Sequence, residues 1–121
     1  MKPLLAKDIK PLLTRFSHFT DGELRSIEII SPTIIKITLA GQDSARGFDW
    51  LTICFEFSGV TDAKLFDSSK LSFIDISGGI NIIYEDGSFA FGIGDYKNLL
   101  NIKNSVCFLI SSALKYEEGA F

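Results

Sequence analysis

The sequence predicts an α+β domain that is predominantly β: a twisted antiparallel sheet of about seven strands, partly rolled toward a barrel, with an N-terminal helix packed on one face. Three observations carry this. Asp86-Gly87 stands between two apolar runs in INIIYEDGSFAFGIG, residues 80–94, and a type I′ hairpin turn needs two residues that tolerate positive φ. Several further runs alternate large apolar with polar side chains, the period of a strand. Helical spacing of apolar residues is confined to the first eighteen positions.

Residues 3–18, PLLAKDIKPLLTRFSH, place Leu5, Ile9, Leu12, Leu13 and Phe16 three and four apart, which predicts an amphipathic helix. Pro11 interrupts it. An interior proline lacks the N–H and crowds the preceding turn, so the expectation is either one kinked helix or a turn followed by a helix from Pro11. Phe19-Thr20-Asp21-Gly22 has turn chemistry. GELRSIEIISPTIIKITLA then reads as a hairpin closed by Ser31, Pro32 and Thr33, with Ile30 opposite Ile34, Ile29 opposite Ile35 and Ile27 opposite Ile37. Glu28 faces Lys36 on the other side, so the apolar and the charged pairs agree on one register.

AGQDSARG, residues 40–47, reads as a polar loop, and FDWLTICFEF, residues 48–57, as a strand well inside the sheet that Gly59 ends. Residues 60–70 fit a short helix, an irregular crossing or an edge strand over Lys64 to Phe66. LSFIDIS, residues 71–77, alternates again, and Gly78-Gly79 reads as a hairpin turn into the next strand. The Asp86-Gly87 turn puts Tyr84 opposite Phe89, Ile82 opposite Phe91 and Ile80 opposite Ile93, so these large side chains share one face. The other face carries Asn81, Ile83, Glu85, Ser88, Ala90, Gly92 and Gly94. A two-stranded ribbon does not hold alone, so the rest of the chain must close over it. Residues 95–104 read as a loop or one helical turn. SVCFLISSALKYEE reads as a long last strand bulged at Ser111-Ser112, with a helix over residues 111–118 as the alternative.

With 121 residues, 46% of them hydrophobic and eleven Phe, the chain has the size and composition of one domain, residues 1–121. A net charge of −3 and the absence of any Lys/Arg cluster leave no electrostatic footprint for nucleic acid. Lys7, Asp8 and Lys10 break up the first apolar stretch before it reaches the length of a signal segment. No run approaches the ~18 apolar residues of a membrane span, so a cytoplasmic location and no membrane partner are expected. Cys54 and Cys107 lack a metal-ligand or redox spacing and read as reduced thiols, with a cross-strand disulfide as the alternative.

His18, the single histidine, stands near Asp21 and Glu23. The trio has no recognisable ligand spacing, and a helix-end histidine beside a turn aspartate accounts for it. Asp43, Asp49, Asp62, Asp67, Asp75, Glu85, Asp86 and Asp95 are scattered over turns, where such residues are expected. Gly78-Gly79 and Gly92-Ile93-Gly94 lack the setting of a phosphate cradle and read as turn and close-packing glycines. No GxSxG occurs. No catalytic residue, cofactor or metal is therefore assigned. Trp50, with Arg46 and Asp49 at the start of its strand, is the candidate protein-binding surface, since Trp and Arg anchor interfaces.

Phe19-Thr20-Asp21-Gly22-Glu23-Leu24-Arg25-Ser26-Ile27, followed by a polar loop and LTICFEFSGV at residues 51–60, resembles a loose group of small bacterial proteins. In that group an F-H-D-(G/A)-x-hydrophobic-x-x-hydrophobic phrase opens the first strand, and a strand ending in a G-V-like step follows. Some members look like immunity proteins of bacterial toxin systems. The resemblance covers roughly the first half of the chain, with Thr20 where the group's histidine usually stands. It implies a cytoplasmic, non-enzymatic protein whose partner is another protein such as a toxin domain. Two other readings stand beside it: a small-ligand-binding or enzymatic β domain, with His18, Asp75 or Tyr84 converging in a pocket, and a homo-oligomer with a scaffolding role.

Overall fold

The computed structural model describes residues 1–66 and 74–121. Strands β1 (Lys2–Pro3), β2 (Glu23–Ser31), β3 (Ile34–Asp43), β4 (Asp49–Lys64), β5 (Ile80–Glu85), β6 (Ser88–Ile93) and β7 (Phe108–Ala120) are joined by helices α1 (Ala6–Arg15) and α2 (Leu99–Ile102). The seven strands form one antiparallel sheet in the order β2-β3-β4-β7-β6-β5, with β1 beside the far half of β7. The sheet does not close: β2 and β5 are its edges.

The β5–β6 hairpin has the expected register, with Ile80, Ile82 and Tyr84 opposite Ile93, Phe91 and Phe89. Asp86 and Gly87 take φ of 51° and 80°, the backbone that a two-residue turn demands. Five of the six large side chains are buried; Tyr84, nearest the turn, is half exposed and meets Phe89 edge-on at 4.8 Å. This face joins the main core, where Ile9, Leu12 and Leu13 of α1 and Phe16 just after it pack among Ile37, Leu39, Ile53, Phe55 and Phe57. The glycine-flattened face of the hairpin has its own cover. Ile102 of α2 packs there with Ala90, Phe108 and Ile110, so close that a Cβ on Gly92 would lie 2.5 Å from Ile102 Cγ1.

Helix α1 runs through Pro11 as one element. Leu5 does not belong to its buried stripe: it is the extended residue before the helix and is 51% exposed, while Leu4 is buried. The cause is β1, which bonds to β7 and whose extension has the Leu4 N–H donate to Leu114 O at 2.9 Å. After α1 the chain makes a left-handed turn, with φ of 51°, 54° and 57° at Ser17, His18 and Phe19. Such a conformation costs non-glycine residues of order 1–2 kcal/mol each, and the burial of Phe19, stacked on Phe16 at 5.0 Å, offsets it.

Four boundaries differ from expectation. In the β2–β3 hairpin Ile29, Glu28 and Ile27 pair as expected, but Ser31 is opposite Ile34 and Ile30 is the bulged residue, because the loop is two residues rather than three. Strand β3 runs through Ala40 and Gly41 to Asp43, and the loop shrinks to a 3-10 turn over Ser44–Arg46. Gly59 does not end β4: with φ of 67° it bends the strand against Ser112, and pairing with β7 continues to Lys64. The extra residue of that bend falls in β4, between Val60 and Asp62, and not at Ser111-Ser112. Residues 111–118 are strand.

Of the expected strand over residues 71–77, the first three residues lie outside the described ones, as do 67–70 of the preceding stretch; Ile74, Asp75 and Ile76 have no strand pairing. A turn does form, centred on Ser77-Gly78 and closed by the Gly79 N–H on Ile76 O at 2.7 Å, but it is not the expected hairpin turn, since residues 74–76 do not pair with β5. Cys54 and Cys107 are free thiols. Among the described residues no helix is long and apolar enough to cross a membrane.

Candidate functional site

The sheet has two unlike surfaces along β2, β3, β4 and β7. Alternation sends Ile35, Ile37, Leu39 and Asp43 of β3 and Ile53, Phe55 and Phe57 of β4 toward α1. The residues between them face the other way; Lys36, Thr38, Gln42, Trp50, Thr52, Cys54 and Glu56 remain partly or fully exposed, while Ala40 is buried.

At one end of this open surface three large side chains form a stack. The Phe121 ring lies 5.3 Å from Trp50, and the Arg25 guanidinium sits 4.2 Å above Phe121. Arg25 is placed by the β2 bulge between Leu24 and Ser26 and held by Glu23, 2.7 Å from its Nε. Phe121 is 57% exposed and Phe48, in the turn before β4, is 60% exposed. A cation over an aromatic face is worth about 0.5–1 kcal/mol at exposed sites, so the contact favours this arrangement before anything binds to it.

Lower on the same surface, the register aligns Glu28, Lys36, Glu56 and Lys115 across β2, β3, β4 and β7. Charge alternates along the row. None of the ion pairs among the described residues joins two of its members.

The opposite surface ends in an ion network. Arg15 Nε and Nη2 donate to Asp43 Oδ1 and Oδ2 at 3.2 and 2.6 Å, and Nη2 also lies 2.8 Å from Glu118. The Ala45 N–H donates to Asp43 Oδ1 at 2.9 Å. The bonds from Arg15 hold the buried Asp43 carboxyl below its ordinary value of 3.8 against the opposing effect of burial, and the Arg15 guanidinium is pushed upward in turn. Arg46 completes the network, 3.8 Å from Asp43 and 3.7 Å from Glu118.

The three residues singled out from the sequence therefore divide. Trp50 stands in the aromatic stack, Arg46 turns to the ion network, and Asp49 is exposed opposite Asp43. Arg25 and Phe121, distant from Trp50 in sequence, take the places beside it. Arg25 was legible only as one charge in a strand, and no local signal links Phe121 to Trp50.

His18, Asp75 and Tyr84 are not drawn together. His18 lines a hollow of about 250 Å³ with Thr20, Gly78, Ile80, Gly94 and Asp95, and Asp75 lines another of about 480 Å³ beside Asp21 and Glu23. One glycine of each group meets there: Gly94 N–H donates to Gly79 O at 2.9 Å, and Gly79 has no room for a side chain because His18 O would lie 2.7 Å from its Cβ. Gly79, at a positive φ of 81°, and Gly94 are close-packing residues, whereas Gly78 faces open space. Among the described residues no cluster of His, Cys, Asp and Glu has the arrangement of a metal site. Cys107 is buried, and burial pushes its thiol up to about 11, which keeps it in the unreactive protonated form.

Comparison with known protein families, with curated proteins and with solved structures finds no match for this chain. The surface must be read from its own chemistry. An exposed Trp–Phe–Arg stack beside polar strand residues offers aromatic anchors ringed by hydrogen-bonding groups, the composition of a protein interface.

The sheet edges are less accommodating. Strand β2 is bulged at both Arg25 and Ile30, which leaves a short regular stretch between them, and bulges hinder a further strand from pairing. On β5, Asn81 Oδ1 accepts from the Ile82 N–H at 3.0 Å while its amide donates to Tyr96 O.

Proposed function

We propose that this chain works by binding another protein, as a small cytoplasmic bacterial immunity protein that neutralises a toxin domain. The observation that supports the reading is the stack of Arg25, Phe121 and Trp50 on the uncovered surface of the sheet. Trp and Arg dominate the energetics of protein interfaces, and side chains whose contacts already favour one arrangement lose less freedom on binding. The resemblance of residues 19–27 and 51–60 to proteins of toxin systems supplies the class of partner.

The test is to coexpress the chain with a toxin domain encoded beside its gene and to measure both copurification and cell survival. Trp50→Ala and Arg25→Ala, checked for retained folding by thermal melting, are each expected to weaken the complex by about 10-fold or more, the loss of a moderate hot spot. A neighbourhood without a toxin gene, or a complex indifferent to both substitutions, overturns the proposal.

A further inference from the structure

The charged row of Glu28, Lys36, Glu56 and Lys115 has a symmetry that single side chains do not show. Its four members stand side by side on adjacent strands of the exposed surface, each step about 4.8 Å. A second copy laid face to face can be related to the first by a two-fold axis along the strands or across them. With the axis along the strands, between β3 and β4, Glu28 meets Lys115 of the other copy and Lys36 meets Glu56, each contact made twice. With the axis across the strands and through this row, each residue meets its own copy and every contact in the row repels.

We infer that this surface is self-complementary and pairs two copies of the chain through a two-fold axis running along β3 and β4. The rest of the surface accepts that arrangement. The next row is Ser26, Thr38, Cys54 and Glu117; the axis sets Thr38 against Cys54 and Ser26 against Glu117, with no like charges opposed. At the aromatic end Gln42 is set against Trp50. No ion pair within the chain already occupies the charged row among the described residues.

The extent is adequate for a modest interface. Four strands wide, and from Ile34 to Gln42 along β3, the surface measures roughly 600 Å². A pair would bury about 1,200 Å², the lower end of specific interfaces. A reversible dimer that weakens with salt is the result, because its specificity is carried by charges that salt screens. The inference goes beyond the proposed function and needs no toxin. A partner docking on Trp50 would compete with the second copy for the same surface.

Charge reversal tests it, by sedimentation at about 100 µM protein and low ionic strength and again in about 0.5 M salt. Wild type is expected to be a dimer that dissociates in the higher salt. Lys36→Glu opposes two Glu pairs across the axis, and Glu56→Lys opposes two Lys pairs. Each alone is expected to raise the dimer dissociation constant about tenfold or more, since like charges across an interface cost several kcal/mol.

Mixed together, the two variants oppose Glu to Lys at every position of the row and are expected to form a heterodimer that neither makes with itself. The double variant Lys36→Glu/Glu56→Lys also restores every opposed pair and is expected to dimerise, so the inference is decided even if one single variant fails to fold, which circular dichroism reports. A monomeric wild type, single variants that pair as tightly as wild type, or a double variant and a mixture that stay monomeric each overturn the inference.

Discussion

Asp43 ends β3 with its carboxylate fully buried, a placement that would be costly for an unpaired charge. Both oxygens are satisfied by Arg15 from α1, and one also by the Ala45 N–H. Asp43→Asn replaces two charge-assisted bonds and leaves Arg15, itself 32% exposed, with Glu118 as its remaining partner. A loss of about 1.5–3 kcal/mol at pH 7 is expected, measured by urea denaturation.

The pH dependence has a definite sign. Because the folded carboxyl lies below its ordinary 3.8, its stabilisation is fully present above that value. It is lost as pH falls through the folded value, since the unfolded chain takes up the proton first. The wild type is thus expected to lose stability more steeply than Asp43→Asn as pH drops below about 4; equal slopes would show that the ion pair contributes nothing. None of this is legible in AGQDSARG, where Asp43 looks like one more polar loop residue. Its partner is twenty-eight positions away, and only the packing of α1 across the sheet brings Arg15 to it.

Strand β4 shows why glycine misleads when read locally. A glycine after an alternating run reads as a stop, since it forfeits side-chain packing and costs backbone entropy. Gly59 instead takes φ of 67° where β4 crosses β7, and a Cβ there would lie 2.0 Å from Ser112 Oγ. Gly59→Ala is expected to destabilise by about 1–3 kcal/mol from strained backbone, with the clash in addition. Adding Ser112→Ala to that variant removes the hydroxyl in the way and not the strain, so the double variant should recover only part of the loss in thermal melts. Full recovery would mean that the backbone at residue 59 relaxes freely. By contrast the β5–β6 hairpin was legible to the residue, because turn chemistry at Asp86-Gly87 and alternation on both sides are local and point to the same register. The β2–β3 hairpin was legible in its pairs and not in its closing step, where Pro32-Thr33 forms the shorter turn and forces Ile30 into a bulge.

The two halves of the molecule are joined by their most distant segments. Strand β7 bonds to β4 from Leu51↔Ala120 to Lys64↔Phe108, to β6 on its other side, and to β1 at Lys2↔Tyr116. The blocks β2–β4 and β5–β7 each pair strands consecutive in sequence, but the sheet is complete only when β4 meets β7 across the length of the chain between them. Refolding is therefore expected in about milliseconds to seconds, the range of domains dominated by non-local pairing. The single tryptophan, 5.3 Å from Phe121 just beyond the end of β7, reports it by fluorescence. A microsecond relaxation in temperature-jump experiments would show that β4 and β7 do not need to meet for folding.

The class of fold, the helix at the start and the strand pairs of the β2–β3 and β5–β6 hairpins follow from periodicity and turn chemistry, which act between residues a few positions apart. Which strand lies beside which, where the sheet bends, and that Arg25, Trp50 and Phe121 share one surface while Arg46 leaves it are set by packing in space. Those partners stand tens of residues apart, and a chain carries no local mark of a neighbour it meets only after it has folded.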